Sequence, residues 1–153
     1  GATWAEVDLD NALWTVPASR MKAGKEHRIP LSPRAVEILE AVKPLGKASL
    51  FPANKSGKLS TMAMSMLLRR MDVAATVHGF RSTFRDWAAE RTGNAHEVAE
   101  MALAHTIESA VERAYRRGDL FAKRRRLMAD WATYCASDGA AGAKVSPIRR
   151  AVA

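Results

Sequence analysis

The sequence is poor in the features that mark secreted, membrane and RNA-stacking proteins. It has a single cysteine, Cys135, so no internal disulfide forms, which is typical of a reducing cytoplasm. No apolar run approaches the length of a membrane-spanning helix, and we expect no signal peptide before the domain. Aromatic residues make up only 7% of the chain, which leaves few rings for an RNA-binding platform. We therefore expect a cytoplasmic protein that has no contact with a membrane.

Metal and nucleotide motifs are also missing. None of the four histidines belongs to a His-Glu-x-x-His pattern, since His96-Glu97 lacks the second histidine. Ala23-Gly24-Lys25 lacks the glycine spacing and the following serine or threonine of a phosphate-binding loop. No acidic cluster favours a metal-dependent nuclease. The sequence predicts chemistry that needs neither a metal nor another cofactor.

Positive charge, in contrast, is abundant. The 153 residues have a formal net charge of +8 and a pI near 10.1, which indicates a polyanionic partner, although ribosomal and membrane-surface proteins share this trait. Residues 111–126 carry seven Lys or Arg against Glu112 and Asp119. Such a run is often only a solvated helix face. Because this run encloses Tyr115, a phenol that could attack phosphorus, contact with phosphates is favoured.

The first thirty residues predict a small antiparallel sheet of three strands. Alternating residues over 6–9 and 12–16 are typical of strands, with Asp10-Asn11 as the turn between them. Residues 18–31 continue as a hairpin with Lys22-Ala23-Gly24-Lys25 at its tip.

The remainder is predicted to be mainly α-helical. Ser32 and Pro33 are typical of a helix start, and Ser60 is predicted to cap a helix that runs to about Met71. Further helices are predicted over 79–92, 95–104, 107–116 and 119–136. We interpret Met62, Met64, Met66, Met71, Trp87 and Trp131 as core residues.

Composition indicates a single domain followed by a tail. A hydrophobic content of 48% with 26% charged residues is typical of a globular chain. We assign residues 1–136 to the domain, while the small, Gly/Ala-rich residues 137–153 predict a flexible tail. The chain begins at Gly1 rather than methionine, and we expect it to be a piece of a longer protein.

Candidate reactive side chains are concentrated in residues 76–117. His78 and Arg81 are three residues apart and would share one face of a helix, where imidazole and guanidinium together suit a phosphate. His105 follows, and ten residues later Tyr115 stands among Arg113, Arg116 and Arg117. Positive neighbours favour the phenolate, which makes Tyr115 a plausible nucleophile towards phosphorus.

Each of these residues also has a structural interpretation. The pair of His78 and Arg81 could simply belong to a helix start, and His105 could be a core histidine near a helix end. Tyr115 could be a packing residue. Lys22 at a hairpin tip is usually only solvated, and Lys25 competes with it for any role.

In order and spacing, these motifs resemble the catalytic domain of tyrosine recombinases, the phage-type integrases, over roughly residues 2–135. The elements that carry the resemblance are Met21-Lys22 before the string 27–32 (His-Arg-Ile-Pro-Leu-Ser), His78-Gly-Phe-Arg81, Leu103-Ala-His105, Ala114-Tyr115-Arg-Arg117 and the basic run 124–131. They look most like the integrases of satellite phages and genomic islands. The resemblance implies the DNA breaking-rejoining fold, which is mainly α-helical with a small three-stranded antiparallel sheet near the N-terminus.

The resemblance also implies a mechanism of site-specific DNA recombination on attachment sites. Tyr115 would attack a DNA phosphodiester and form a 3′-phosphotyrosyl link, with Arg81 and His105 on the nonbridging oxygens. His78 would act as the base and Lys22 as the acid that protonates the leaving 5′-oxygen.

Further implied roles concern DNA and assembly. The residues expected to contact DNA phosphates are Arg113, Arg116, Arg117, Lys25 and Arg85. The last helix, over Leu120–Cys135, would pack on a neighbouring protomer in a tetramer on DNA. A bacterial, nucleoid-associated location follows from these expectations.

One departure from the family pattern stands at the start. The family has a first arginine shortly before the segment that resembles residues 3–8 (Thr-Trp-Ala-Glu-Val-Asp), and no such arginine precedes Trp4 here. We also expect this piece to lack the N-terminal DNA-clamping domain that such integrases usually have. Since one transition-state cation typically contributes orders of magnitude in rate, we expect this piece to be catalytically weak by itself.

The sequence is also compatible with two other functional classes. A noncatalytic DNA-binding or assembly module, an integrase remnant, would use the same basic helices while Tyr115 is idle. A type IB topoisomerase would use similar chemistry to relax supercoils, although the short length and the integrase-like strings disfavour it.

Overall fold

The computed structural model describes residues 1–45, 48–53, 59–105 and 118–137, and it confirms the mainly helical fold with a small sheet. The sheet consists of β1 (Val7–Asp8), β2 (Leu13–Val16) and β3 (His27–Pro30), antiparallel in the order β1-β2-β3. Its register pairs Val7 with Trp14 and Trp14 with Ile29. The hairpin with Lys22–Lys25 therefore joins β2 to β3, as the sequence predicted.

Five helices are described. They are α1 (Pro33–Val42), α2 (Ala63–Arg70), α3 (Gly79–Arg91), α4 (His96–Ala102) and α5 (Phe121–Ala136). The side chain of Ser32 accepts a hydrogen bond from the backbone N–H of Ala35 at 3.2 Å, so its predicted capping role is confirmed. The predicted helix over 107–116 and the tail after Ser137 lie outside the described residues. None of the described helices has the length and apolar character needed to cross a membrane.

The core lies where α3, α4 and α5 meet. Its buried members are Phe84, Trp87, Ala88, Val98, Ala99 and Leu127, with Trp131 packed against them. The ring of Trp131 meets Phe84 edge-on with centroids 5.4 Å apart and lies 5.0 Å from Trp87. The prediction that Trp87 and Trp131 are core residues is confirmed, and α5 is thereby fixed against α3 within the same chain.

The predictions for α2 were wrong in two respects. The helix begins at Ala63 rather than after Ser60, and Met62 occupies the capping position without a side-chain hydrogen bond. Its methionines are exposed by 44–60% instead of being buried. Among the described elements, none packs extensively on α2, so no apolar surface covers these methionines.

Candidate active site

His78 and Arg81 lie at the start of α3, as the three-residue spacing predicted. The side chain of Thr76 accepts a hydrogen bond from the N–H of Gly79 at 3.0 Å, and the carbonyl of His78 accepts one from the N–H of Arg81 at 3.0 Å. A Cβ at position 79 would lie 3.1 Å from the Thr76 hydroxyl, a tight contact that would require the threonine side chain to shift by a few tenths of an ångström. Both His78 and Arg81 are exposed, so both are accessible to a ligand.

Arg81 connects α3 to the turn that follows α4. Its Nη2 donates to the backbone carbonyl of Leu103, which caps α4. This carbonyl is among those that a helix end leaves without an intrahelical partner. Since the acceptor is a carbonyl and not a carboxylate, the hydrogen bond leaves the positive charge of the guanidinium unneutralised.

The turn after α4 places His105 through a Schellman motif. The N–H of His105 donates to the carbonyl of Glu100 at 2.9 Å, and the N–H of Ala104 donates to the carbonyl of Met101 at 3.1 Å. Ala104 has φ of 55°, in the left-handed region where glycine is the usual residue. The reversal of the chain at Ala104 brings His105 back beside the last turn of α4.

Replacing Ala104 by glycine is expected to stabilise the fold by about 0.5–1 kcal/mol. The left-handed conformation costs an L-residue about 1–2 kcal/mol, and the greater freedom of glycine in the unfolded chain cancels only part of this gain. Urea unfolding followed by circular dichroism measures the difference. Ala89→Gly, at an exposed position inside α3, is the matched control and should destabilise by about 1 kcal/mol. The same sign for both variants would contradict the prediction.

The side chain of His105 is held by Glu100, a residue that the sequence analysis missed. His105 Nδ1 lies 2.6 Å from Glu100 Oε2, and the Nε of Arg85 donates to Glu100 Oε1 at 2.7 Å. Burial by itself would raise the pKa of Glu100, but the hydrogen bonds from His105 and Arg85 outweigh it and the pKa lies below its ordinary value. Glu100 is thus an anion that holds two basic side chains beside Arg81.

His27 on β3 is a second residue of this region that was not predicted. Its half-buried imidazole hydrogen-bonds the backbone of Ala102 at the end of α4. Partial burial, with the positive charges of Arg124 and Arg81, lowers the pKa of His27 below its ordinary value. The sheet therefore contacts the same helix end as Arg81 and His105.

Acidification from about pH 7.5 to about 5.5 is expected to destabilise the protein in part through His27. An unfolded histidine has a pKa of about 6.5. The folded-state pKa of His27 is lower, so between the two pKa values the folded chain binds fewer protons than the unfolded chain. The free energy of unfolding therefore decreases as the pH falls from the unfolded pKa through the folded pKa. In His27→Gln the amide still donates a hydrogen bond but does not titrate, so the pH dependence should be shallower. Urea unfolding at both pH values tests this, and an equal loss in both proteins would contradict it.

Lys22 and Lys25 are exposed on the β2–β3 connection. Gly24 has φ of 63°, and its N–H donates to the carbonyl of Met21 at 3.0 Å, which makes the tight turn between the two lysines. The connection continues directly into β3, so both lysines are attached to the strand that carries His27.

A buried arginine joins β3 to the start of α5. Arg124 is 2% exposed, and it donates to the carbonyl of Arg28 at 2.6 Å and to Asp119 Oδ2 at 2.9 Å. The guanidinium of Arg28 also pairs with Asp119 Oδ2, at 2.7 Å. Asp119 follows Tyr115 by four residues, so this cluster fixes the chain shortly after the predicted nucleophile.

The structure thus brings together some of the predicted site residues. Arg81 and His105 meet at the turn after α4, and His78 precedes Arg81 at the start of α3. Tyr115, Arg113, Arg116 and Arg117 lie outside the described residues. In the described part of the chain, no three potential metal ligands are grouped in a way that could hold an ion.

Most of the chain matches one known protein family. Residues 1–120 match the model of the phage integrase family. The chain belongs to the phage integrase family. Prophage integrase IntA of Escherichia coli (strain K12) is 36% identical over 137 residues, which are 86% of this chain and 33% of that protein. The integrase of Enterobacteria phage P4 is 31% identical over 150 residues, 85% of this chain and 34% of that protein. No solved structure matches.

This phage integrase family chain spans about a third of the length of the curated relatives it matches. The family match ends at residue 120, so it covers the sheet and α1 to α4 together with Arg81 and His105. It also includes Tyr115, whose structural environment is not described. Helix α5 lies beyond the matched region but contributes Leu127 to the core of this integrase-family chain.

Proposed function

We propose that the chain acts in site-specific DNA recombination as the domain that cuts and rejoins DNA through a phosphotyrosyl intermediate. The observation that best supports the proposal is the convergence of Arg81 and His105 on one turn. Within the described residues, the guanidinium of Arg81 bonds to a carbonyl and to no carboxylate, so its charge is retained for a phosphate. The proposed phosphate would lie against Arg81 and against the Nε2 of His105.

The sequence around Tyr115 supports its role as the nucleophile. Arg113, Arg116 and Arg117 flank it, and positive neighbours favour the phenolate. Asp119, four residues later in the sequence, is bound by Arg28 and Arg124.

In the proposed reaction, the phenol oxygen of Tyr115 attacks the phosphorus of a DNA phosphodiester. The bond from phosphorus to the tyrosine oxygen forms while the bond to the 5′-oxygen breaks. His78 takes the phenol proton, and Lys22 donates a proton to the departing 5′-oxygen. Arg81 and His105 stabilise the charge on the nonbridging oxygens in the transition state. A 5′-hydroxyl from another duplex then reverses these steps, so the exchange needs no ATP.

Double-stranded DNA is the proposed partner, and the excess of positive charge supports this assignment. We propose phosphate contacts by Arg113, Arg116, Arg117, Lys25 and Arg85. The Nε of Arg85 already binds Glu100, so a phosphate would be held by its terminal nitrogens. Assembly into a tetramer through α5 remains a prediction. Leu127 and Trp131 of α5 pack inside their own chain, so a contact with a neighbouring protomer would have to use other residues of this helix. An enzyme that acts on bacterial chromosomes would work at the nucleoid.

The proposal is tested with nicked duplexes of randomised sequence, since the attachment site is unknown. Protein–DNA complexes that survive detergent are digested with nuclease and with a protease that cuts after glutamate, and the peptides are analysed by mass spectrometry. We expect a nucleotide 3′-phosphate on Tyr115. Salt-sensitive DNA binding without any adduct would instead favour a noncatalytic module. Relaxation of a supercoiled plasmid without strand exchange would favour a topoisomerase.

A further inference from the structure

Glu100 contacts His105 through both its backbone and its side chain. Its carbonyl accepts the N–H of His105 at 2.9 Å in the Schellman turn, and its Oε2 lies 2.6 Å from the Nδ1 of His105. The side chain of Glu100 is 17% exposed, whereas that of His105 is 39% exposed. The imidazole is thus accessible on one side and held by a largely buried carboxylate on the other.

The carboxylate of Glu100 is ionised under ordinary conditions. Its pKa lies below the usual value because hydrogen bonds from His105 and Arg85 outweigh the effect of burial. An ionised carboxylate accepts hydrogen bonds and donates none. The nitrogen of His105 that faces it must therefore be the donor, which assigns a proton to Nδ1.

We infer that Glu100 is a positioning residue for His105, an inference that rests on the proposed function. With Nδ1–H donated to Glu100, the imidazole cannot turn over, and Nε2 is the nitrogen that meets the DNA phosphate. The hydrogen bond that one ring nitrogen makes decides the protonation of the other. The same carboxylate holds Arg85, so a second basic side chain lies beside the same phosphate site.

Other basic groups near Glu100 do not account for this arrangement. His96 Nε2 lies 3.7 Å from Glu100 Oε1, beyond the range of a normal hydrogen bond, and the side chain of His96 is 67% exposed. His96 therefore provides a matched control, since it is a histidine beside the same carboxylate without a short bond to it. The main bonds of the Glu100 carboxylate are those to His105 and Arg85.

The test is the tautomer of His105 in the 153-residue chain, measured by NMR with ¹⁵N-labelled histidine rings at a pH where the imidazole is neutral. His105→Gln assigns the signal. We expect the Nδ1–H tautomer in the wild type and in His96→Gln. In Glu100→Ala the proton should move to Nε2, the site that a free imidazole prefers. Glu100→Gln should retain the Nδ1–H form, because its amide oxygen still accepts the bond.

Two results would overturn the inference. One is an Nε2–H tautomer of His105 in the wild type, which decides the matter even where Glu100→Ala does not fold. The other is a Glu100→Ala variant whose His27 signals are unchanged, so that it is folded, and whose His105 keeps the Nδ1–H form. Neither result depends on DNA cleavage. A wild-type Nδ1–H tautomer without any adduct on Tyr115, even after an incubation long enough for a weak enzyme, would leave the positioning role standing and overturn the proposed function.

Discussion

Replacing Tyr115 by phenylalanine is expected to remove the covalent adduct between the protein and nicked DNA. The substitution deletes only the hydroxyl, which is the group that would attack phosphorus. Losing the nucleophile of a covalent mechanism typically lowers the rate by about a thousandfold or more, so the adduct should fall below detection. End-labelled nicked duplexes, separated under denaturing conditions, measure the adduct directly. DNA binding and its salt dependence should be unchanged, because the substitution retains every cationic side chain that would contact a phosphate.

Tyr134 provides the matched control, since it is the other tyrosine of the chain. Its ring stacks on Trp131 with centroids 5.5 Å apart, on a helix that contributes to the core. Tyr134→Phe retains this stacking and should leave the yield of adduct unchanged. An adduct that survives in Tyr115→Phe, or that disappears only in Tyr134→Phe, would show that the nucleophile has been assigned wrongly.

Replacing Arg124 by methionine is expected to destabilise the fold by about 3 kcal/mol. Methionine fills much of the space but leaves the carbonyl of Arg28 without its donor and Asp119 without one of its two cationic partners. Removing one member of a buried ion pair typically costs about 3–5 kcal/mol. Asp119 retains Arg28 and is 38% exposed, so the lower end of this range applies. Urea unfolding followed by circular dichroism measures the loss.

The control for Arg124 is Arg126, which is exposed on the same helix. Arg126→Met removes the same charge and should change stability by no more than about 0.5 kcal/mol. Arg124→Lys should fall between the two, because an ammonium group cannot bond both acceptors in the geometry of a planar guanidinium. Similar losses in Arg124→Met and Arg126→Met would mean that the buried cluster contributes little.

Local patterns predicted most of the fold. Alternation over the first thirty residues predicted the sheet, and Ser32 with Pro33 predicted the start of α1, because these signals act between neighbours in sequence. The failure at α2 has a different origin. Methionine content predicts burial only where another element covers the helix, and whether one does is a tertiary property that residues 62–71 do not encode.

The reactive residues of the site could be predicted from the sequence, but the residues that hold them in place could not. His78 and Arg81 follow from helical spacing, and the structure adds that Arg81 reaches a carbonyl 22 residues away. The Arg28 and Asp119 pair spans 91 residues, so no local pattern indicates it. Glu100 had one available signal, its five-residue spacing before His105. That signal was hidden because the turn between them uses Ala104 where glycine would have marked a helix end.

The cluster of Arg28, Asp119 and Arg124 determines which related integrases could exchange their sheet and last helix in a chimera. A chimera that took its sheet from one protein and its last helix from another would keep the bond from Arg124 to position 28, because a backbone carbonyl is present whatever the residue. The ion pair between Arg28 and Asp119 has no such tolerance, since it needs an arginine from one parent and an aspartate from the other. Compatible parents are therefore those that together supply arginine at positions 28 and 124 and aspartate at position 119.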